Sequence, residues 1–110
     1  NTTINPKTLR KPTSFEGGLS GKPLFEQSNK ILKLLAKRKN ASTVLIGVGG
    51  ILSASDIYEK IKLGASAVQI YTGFVYNGPN HIKKVEMELK NLLLNDGYNS
   101  IDGAVGALIR

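Results

Sequence analysis

Thr43–Thr72, TVLIGVGGILSASDIYEKIKLGASAVQIYT, is the stretch whose pattern decides the fold of this chain. Val44–Ile46 is an unbroken apolar run, the signature of a strand buried on both faces of a parallel sheet. Gly47, Gly49 and Gly50 follow it at once. From Asp56 to Leu63 the spacing becomes helical, with Ile57, Ile61 and the stem of Lys60 on one side. Ala67–Ile70 is a second short apolar strand, closed by Tyr71-Thr72-Gly73. Strand, glycine turn, helix and strand therefore succeed one another. The carboxyl ends of two consecutive parallel strands present backbone N–H groups, and such ends make a phosphate site. Glycine suits that place because a Cβ would hold the backbone away from the phosphate oxygens.

The rest of the composition narrows the chemistry. The chain has 110 residues, enough for one domain with a modest core. It has no cysteine, so disulfides and thiolate metal sites are excluded. His81 is the only histidine, which leaves no histidine-based metal site or triad. No apolar run approaches the roughly 20 residues of a membrane-spanning helix. The chain starts at Asn1 and its one methionine is Met87, so it is expected to be a processed chain or a piece of a longer one. Its net charge is +7, yet the basic residues are scattered: Lys7, Arg10 and Lys11, then Lys37–Lys39, then Lys60, Lys62, Lys83, Lys84 and Lys90. No aromatics are interleaved with them, so nucleic acid is not expected as a partner. Most read as solvated helix faces and loops, with some electrostatic preference for anionic ligands or lipids.

Working outward, Asn1–Ile4 reads as the tail of a strand, and Asn5–Pro23 as a long polar loop. A helix is expected from Leu24 to Lys37, burying Leu24, Ser28, Ile31, Leu32 and Leu35. Lys37, Arg38 and Lys39 suit its carboxyl end. Asn77-Gly78-Pro79 is a turn. The helix after it runs to Asn95, with Ile82, Val85, Leu89, Leu92 and Leu93 on its buried stripe and Asp96-Gly97 as its stop. A short final helix begins at Ser100. Three strands or remnants, all read as parallel, cannot close a barrel of about 250 residues. The fold expected is therefore α/β, the last part of a (β/α)8 barrel, incomplete and open on one side, with residues 1–110 as one unit.

Four segments carry candidate chemistry. Gly47-Val48-Gly49-Gly50 reads either as a phosphate cradle or as a plain strand-to-helix turn; its spacing fits neither the Rossmann fingerprint nor the P-loop. Tyr71-Thr72-Gly73 is by itself an ordinary strand end, and gains meaning from the glycines one strand earlier. Gly17–Pro23, GGLSGKP, is either a flexible lid or a loop passing close to a flat ligand, with Ser20 as a hydrogen-bonding group. Asn1-Thr2-Thr3 is either a capped turn or a donor–acceptor pair for a planar carboxylate substrate. Asp56 is expected to start a helix, while Glu26, Glu59 and His81 are expected on exposed helix surface. The chain shows no general base and no metal site.

Taken together, NTT at 1–3, GGLSGKPL at 17–24, GVGG at 47–50, SDIYEKIKLGAS at 55–66, QIYTGFVYNGP at 69–79 and DGYNSIDGAVGA at 96–107 resemble the carboxyl-terminal portion of class 2, quinone-dependent dihydroorotate dehydrogenases. The resemblance implies a (β/α)8 barrel with FMN at the top of the strands, oxidising dihydroorotate to orotate in pyrimidine biosynthesis and passing electrons to a membrane quinone. By position it implies orotate contacts at Asn1 and Thr2. It implies cofactor contacts at Ser20 and Gly21, at Gly49 and Gly50, and at Ile70, Tyr71 and Thr72. The family's serine base, its flavin-contacting lysine and the helices that admit quinone match nothing in this chain and belong upstream. Ala54 and Leu52 depart from the smaller residues common in the family. The implied setting is peripheral membrane association, on the cytoplasmic side in a bacterium. The chain alone is expected not to turn over, with the remainder supplied in trans or through an oligomer. The alternatives are a non-catalytic FMN- or phosphate-binding half-barrel and a decayed-gene remnant.

Overall fold

The computed structural model describes residues 2–4, 14 and 16–110. A single 3-10 turn, Lys22–Leu24, leads into α1 (Phe25–Arg38), followed by β1 (Ile46–Val48), α2 (Ala54–Lys62), β2 (Ala67–Gln69), α3 (Thr72–Asn77), α4 (Asn80–Asn95) and α5 (Ile101–Ala104). β1 and β2 pair in parallel, with Ile46 beside Ala67, Gly47 beside Val68 and Val48 beside Gln69. The crossover between them is α2, as the alternation of patterns required.

α2 starts two residues before the expected Asp56, which is its third residue. Ser53 is the N-cap; its hydroxyl accepts from the Asp56 N–H (3.2 Å), and the Asp56 carboxylate accepts from the N–H groups of Ser53 (3.1 Å) and Leu52 (2.9 Å). This reciprocal box satisfies donors that a helix start otherwise leaves open. α4 stops at a Schellman arrangement, in which Gly97 N–H reaches Leu94 O (3.0 Å) and Tyr98 N–H reaches Leu93 O (2.9 Å).

The main core gathers Ile51, Ala54, Ile57, Tyr58, Ile61, Val85, Leu93 and Ala104 between α2, α4 and α5, with Val68 and Ile70 of the sheet packed on it. A smaller cluster of Leu32, Leu63 and Ala65 sits under α1. Burying each isoleucine, leucine or valine side chain of these clusters contributes about 1.5–3 kcal/mol. Tyr58 pins the far end of α2 to the end of α4, donating to Asp96 Oδ2 at 2.6 Å.

Several expectations are corrected here. The first strand is Ile46–Val48 rather than 44–46, so Gly47 is a strand residue and not part of the turn. Its outward face is bare: Val44 is 69% exposed and Ile46 52%, because nothing in the described chain covers the side of the sheet that a closed barrel turns inward. Residues 2–4 add no third parallel strand; Thr3 instead forms one antiparallel bridge with Leu19, which the loop folds back beside it. α1 buries Phe25, Asn29 and Leu32, and leaves Ile31 and Leu35 half exposed, because its contacts are with β1 and the end of α2. Ile82 is also largely exposed, while Val85 and Leu93 carry the buried stripe of α4. α3 occupies residues read as strand end and turn.

Candidate functional site

The carboxyl ends of β1 and β2 open into one cleft of about 400 Å³, lined by backbone and small side chains from three parts of the chain. From the amino-terminal side come Thr2, Gly18, Ser20 and Gly21; from the end of β1, Val48–Ile51; from the end of β2, Gln69, Tyr71, Thr72 and Gly73.

Two glycines show why the cleft has this shape. Gly50 has φ +74°, and a Cβ placed on it would lie 2.6 Å from both Cβ and N of Phe25. The turn after β1 can thus lie directly against the start of α1. Gly73 opens α3, and a Cβ there would overlap the Ile51 carbonyl. The two strand ends approach each other across this contact. The backbone N–H groups of Gly50, Tyr71 and Thr72 donate to no protein acceptor among the described residues. Backbone donors left open at adjoining strand ends form an anion-binding concavity.

The glycine-rich loop is clipped onto this platform. Ser20 Oγ and Thr72 Oγ1 share a hydrogen bond of 2.9 Å across 52 residues of sequence. Lys22, next in the loop, pairs with Asp56 at 2.7 Å and lies 4.4 Å from the centre of the Phe25 ring. Burial pushes the Asp56 carboxyl up, but bonds from Lys22, the Leu52 N–H and Ser53, with the charge of Lys22, outweigh it and hold the group below the usual carboxylate range. His81, expected on exposed surface, instead donates from Nε2 to the Leu52 carbonyl at 2.8 Å. It ties the first turn of α4 to the same loop.

Of the residues singled out by sequence, Thr2, Ser20, Gly21, Gly49, Gly50, Tyr71 and Thr72 line the one cleft. Ile70 does not; its side chain packs against the main core on the opposite side of the sheet. Asn1 lies outside the described residues, as do Lys7, Arg10 and Lys11. The side chain of Tyr71 is 78% exposed, so the backbone is what Tyr71 brings to the cleft. Sequence reasoning missed Gly18, Gln69 and Gly73, all within the quoted motifs. It also missed the support behind β1, where Lys60 of α2 meets Ser28 and Asn29 of α1. Among the described residues, no three His, Asp or Glu side chains come together as a metal site. No helix among them is long and apolar enough to cross a membrane.

Comparison with known proteins adds the following. The protein family described as dihydroorotate dehydrogenase matches residues 1–93. A dihydroorotate dehydrogenase (quinone) from Sulfurimonas denitrificans is 48% identical over 107 residues, which cover 97% of this chain and 30% of that protein. One from Haloarcula marismortui is 45% identical over 107 residues, covering 96% of this chain and 30% of its own length. Among solved structures, a ligand-free DHODH from Eimeria tenella superposes with a TM-score of 0.91 at 39% identity, over 100% of this chain and 31% of that one. The chain thus spans about a third of the length of the relatives it matches.

Proposed function

The chain belongs to the dihydroorotate dehydrogenase family and has the fold of a carboxyl-terminal part of its (β/α)8 barrel, and from that premise we propose that its cleft is the phosphate end of an FMN site. The observation that carries this reading is that Gly50, Tyr71 and Thr72, whose N–H groups have no acceptor among the described residues, all line a glycine-rich cleft at two adjacent strand ends. A phosphate dianion there accepts charge-assisted hydrogen bonds from groups that need not reorganise to receive it.

In this reading Gly49 and Gly50, with the backbone of Tyr71 and Thr72, hold the phosphate. Ser20 and Gly21, held in place through Thr72, flank the flavin. Thr2, with Asn1, marks the edge for the planar dihydroorotate or orotate. Bound FMN supplies the hydride-accepting chemistry of a dihydroorotate dehydrogenase. The residues of this chain bind and orient, which is a matter of geometry and electrostatics. Among the described residues the cleft is lined by hydroxyls, an amide, two aliphatic side chains and backbone, with no carboxylate, imidazole or amine to take a proton. We therefore assign the general base, the quinone contacts and a peripheral membrane association to the whole enzyme, and predict no turnover by this chain alone. The same missing base favours, as second reading, a phosphate-binding half-barrel without catalysis.

The test is a titration of the chain with FMN and, in parallel, with riboflavin, followed by flavin fluorescence. FMN binding at least tenfold tighter than riboflavin supports the phosphate site. Equal affinity for the two overturns it. Dihydroorotate oxidation above a flavin-only blank would overturn the assignment of the base to another part of the enzyme.

A further inference from the structure

Lys60 is a cation with no exposed surface, and it lies outside the lining of the cleft. Its stem runs behind β1, where a Cβ on Gly47 would meet Lys60 Cδ at 3.0 Å and Lys60 Cβ at 3.2 Å. The glycine in the strand makes room for the lysine. The ammonium then donates to Ser28 Oγ (2.8 Å) and Asn29 Oδ1 (2.7 Å), and lies 5.2 Å from the centre of the Phe25 ring. Ser28 in turn donates to the carbonyl of Val48, the last residue of β1. The same serine lies against Gly49, where a built Cβ would be 3.3 Å from its Oγ. Phe25 lies under Gly50 on the other side.

Lys60 makes no ion pair among the described residues. Its nearest compensation is indirect, through Asn29, whose Nδ2 donates to Glu59 Oε1 at 2.9 Å. Burying an ammonium without a carboxylate against it is costly. An anion bound on the other side of the turn would offset part of that cost. Building on the FMN-phosphate reading above, we propose that Lys60 is a positioning residue for the anion site: through Ser28 it fixes the Val48 carbonyl, and so aims the Gly49–Gly50 turn at the cleft, while its charge stands behind the bound phosphate.

The coupling is reciprocal: if the charged lysine favours the anion, the anion favours the charged lysine. The free chain makes this measurable, because burial pulls the Lys60 ammonium down to about 8, against the smaller opposing charges of Glu59 and Asp56. The charged groups around it are Asp56 and Glu59 of α2, and Lys22 of the preceding turn, itself paired with Asp56. α1 presents Phe25, Ser28 and Asn29, and β1 presents Gly47, none of which titrates in this range.

The experiment measures FMN and riboflavin affinities from pH 7 to 9.5 for the chain, for Lys60→Met and for Ser28→Ala. For the unsubstituted chain, FMN affinity should fall across this range as Lys60 loses its proton, while riboflavin affinity stays level. At pH 7, Lys60→Met should weaken FMN by about tenfold, the scale of one charge-assisted interaction, and remove the pH slope. Ser28→Ala should weaken FMN while leaving riboflavin unchanged. An FMN-to-riboflavin ratio unchanged in Lys60→Met refutes the proposal and leaves the phosphate site standing. A chain that does not prefer FMN over riboflavin removes the phosphate reading, and this one with it. Should Lys60→Met not fold, the unsubstituted chain still decides: a level FMN affinity from pH 7 to 9.5 refutes the role of the charge.

Discussion

Replacing Gly50 by alanine tests whether the cleft is built by the close approach of the β1 turn to α1. At φ +74° an alanine pays for the left-handed backbone, about 1–2 kcal/mol. Its Cβ would also lie 2.6 Å from Phe25 Cβ and N, and 2.7 Å from Phe25 Cα. Two of those three atoms are backbone at a helix start, so the turn must retreat by roughly 0.8 Å or more to reach ordinary carbon contact. Forced overpacking of this kind costs about 1–3 kcal/mol. The sum, about 2–5 kcal/mol, is a large part of the 5–15 kcal/mol that usually holds a domain folded. Gly97 supplies the control: its φ is +81°, and a Cβ there meets nothing within 4 Å. Gly97→Ala should therefore show the backbone cost alone. Urea unfolding of both variants, without ligand, separates the two costs. Gly50→Ala should lose about 1–3 kcal/mol more than Gly97→Ala, with similar slopes. Losses equal within about 0.5 kcal/mol would refute the packing argument. It follows that lost FMN binding in Gly50→Ala is not by itself evidence of a phosphate contact.

Three further outcomes are expected. Ser20→Ala and Thr72→Val each remove one side of the 2.9 Å clip, and each should weaken FMN by about fivefold, near 1 kcal/mol; binding constants for the double variant should show no further loss, and full additivity would rule the clip out. Asp56→Ala removes the acceptor for Leu52, Ser53 and Lys22 and should cost about 1–3 kcal/mol in urea unfolding. Because the folded carboxyl is lowered from 3.8, its contribution is present above that value and disappears as pH falls below it, so the variant should show a smaller acid loss than the unsubstituted chain. Lys60 is the reverse case. Its folded value of about 8 lies below the unfolded 10.5, so the unfolded chain binds more protons between them and stability should rise with pH over that interval. Tyr58, raised above 10.0 by burial and then by its bond to Asp96, should turn the curve down above pH 10. Thermal melts from pH 7 to 11 would show the rise and the turn, and a rise that persists in Lys60→Met would exclude Lys60 as its source.

The strand–helix–strand order, the glycines at the strand ends, a helix opening near Asp56 and the stop at Gly97 are all legible in the chain itself. Each rests on residues within a turn or two of one another: apolar periodicity, a capping carboxylate, a backbone angle only glycine accepts cheaply. The segments around the cleft are legible for the same reason: of the nine site residues expected, Asn1 lies outside the described residues and seven of the other eight line the cleft. What the tertiary structure alone decided involves partners far apart. Whether Gly47 belongs to turn or strand depends on its pairing with Val68 of β2, twenty-one positions later. Lys60 reads as solvated in a basic, amphipathic stretch, and becomes buried only because Ser28 and Asn29, about thirty residues earlier, arrive with oxygens to accept its protons. Ile70 is nominated only by the family resemblance, yet its side chain packs on the core. Local pattern determined the elements and the backbone of the cleft. Which polar groups stand behind it was settled by packing, because the cost of burying a charge is set by neighbours that sequence distance does not reveal.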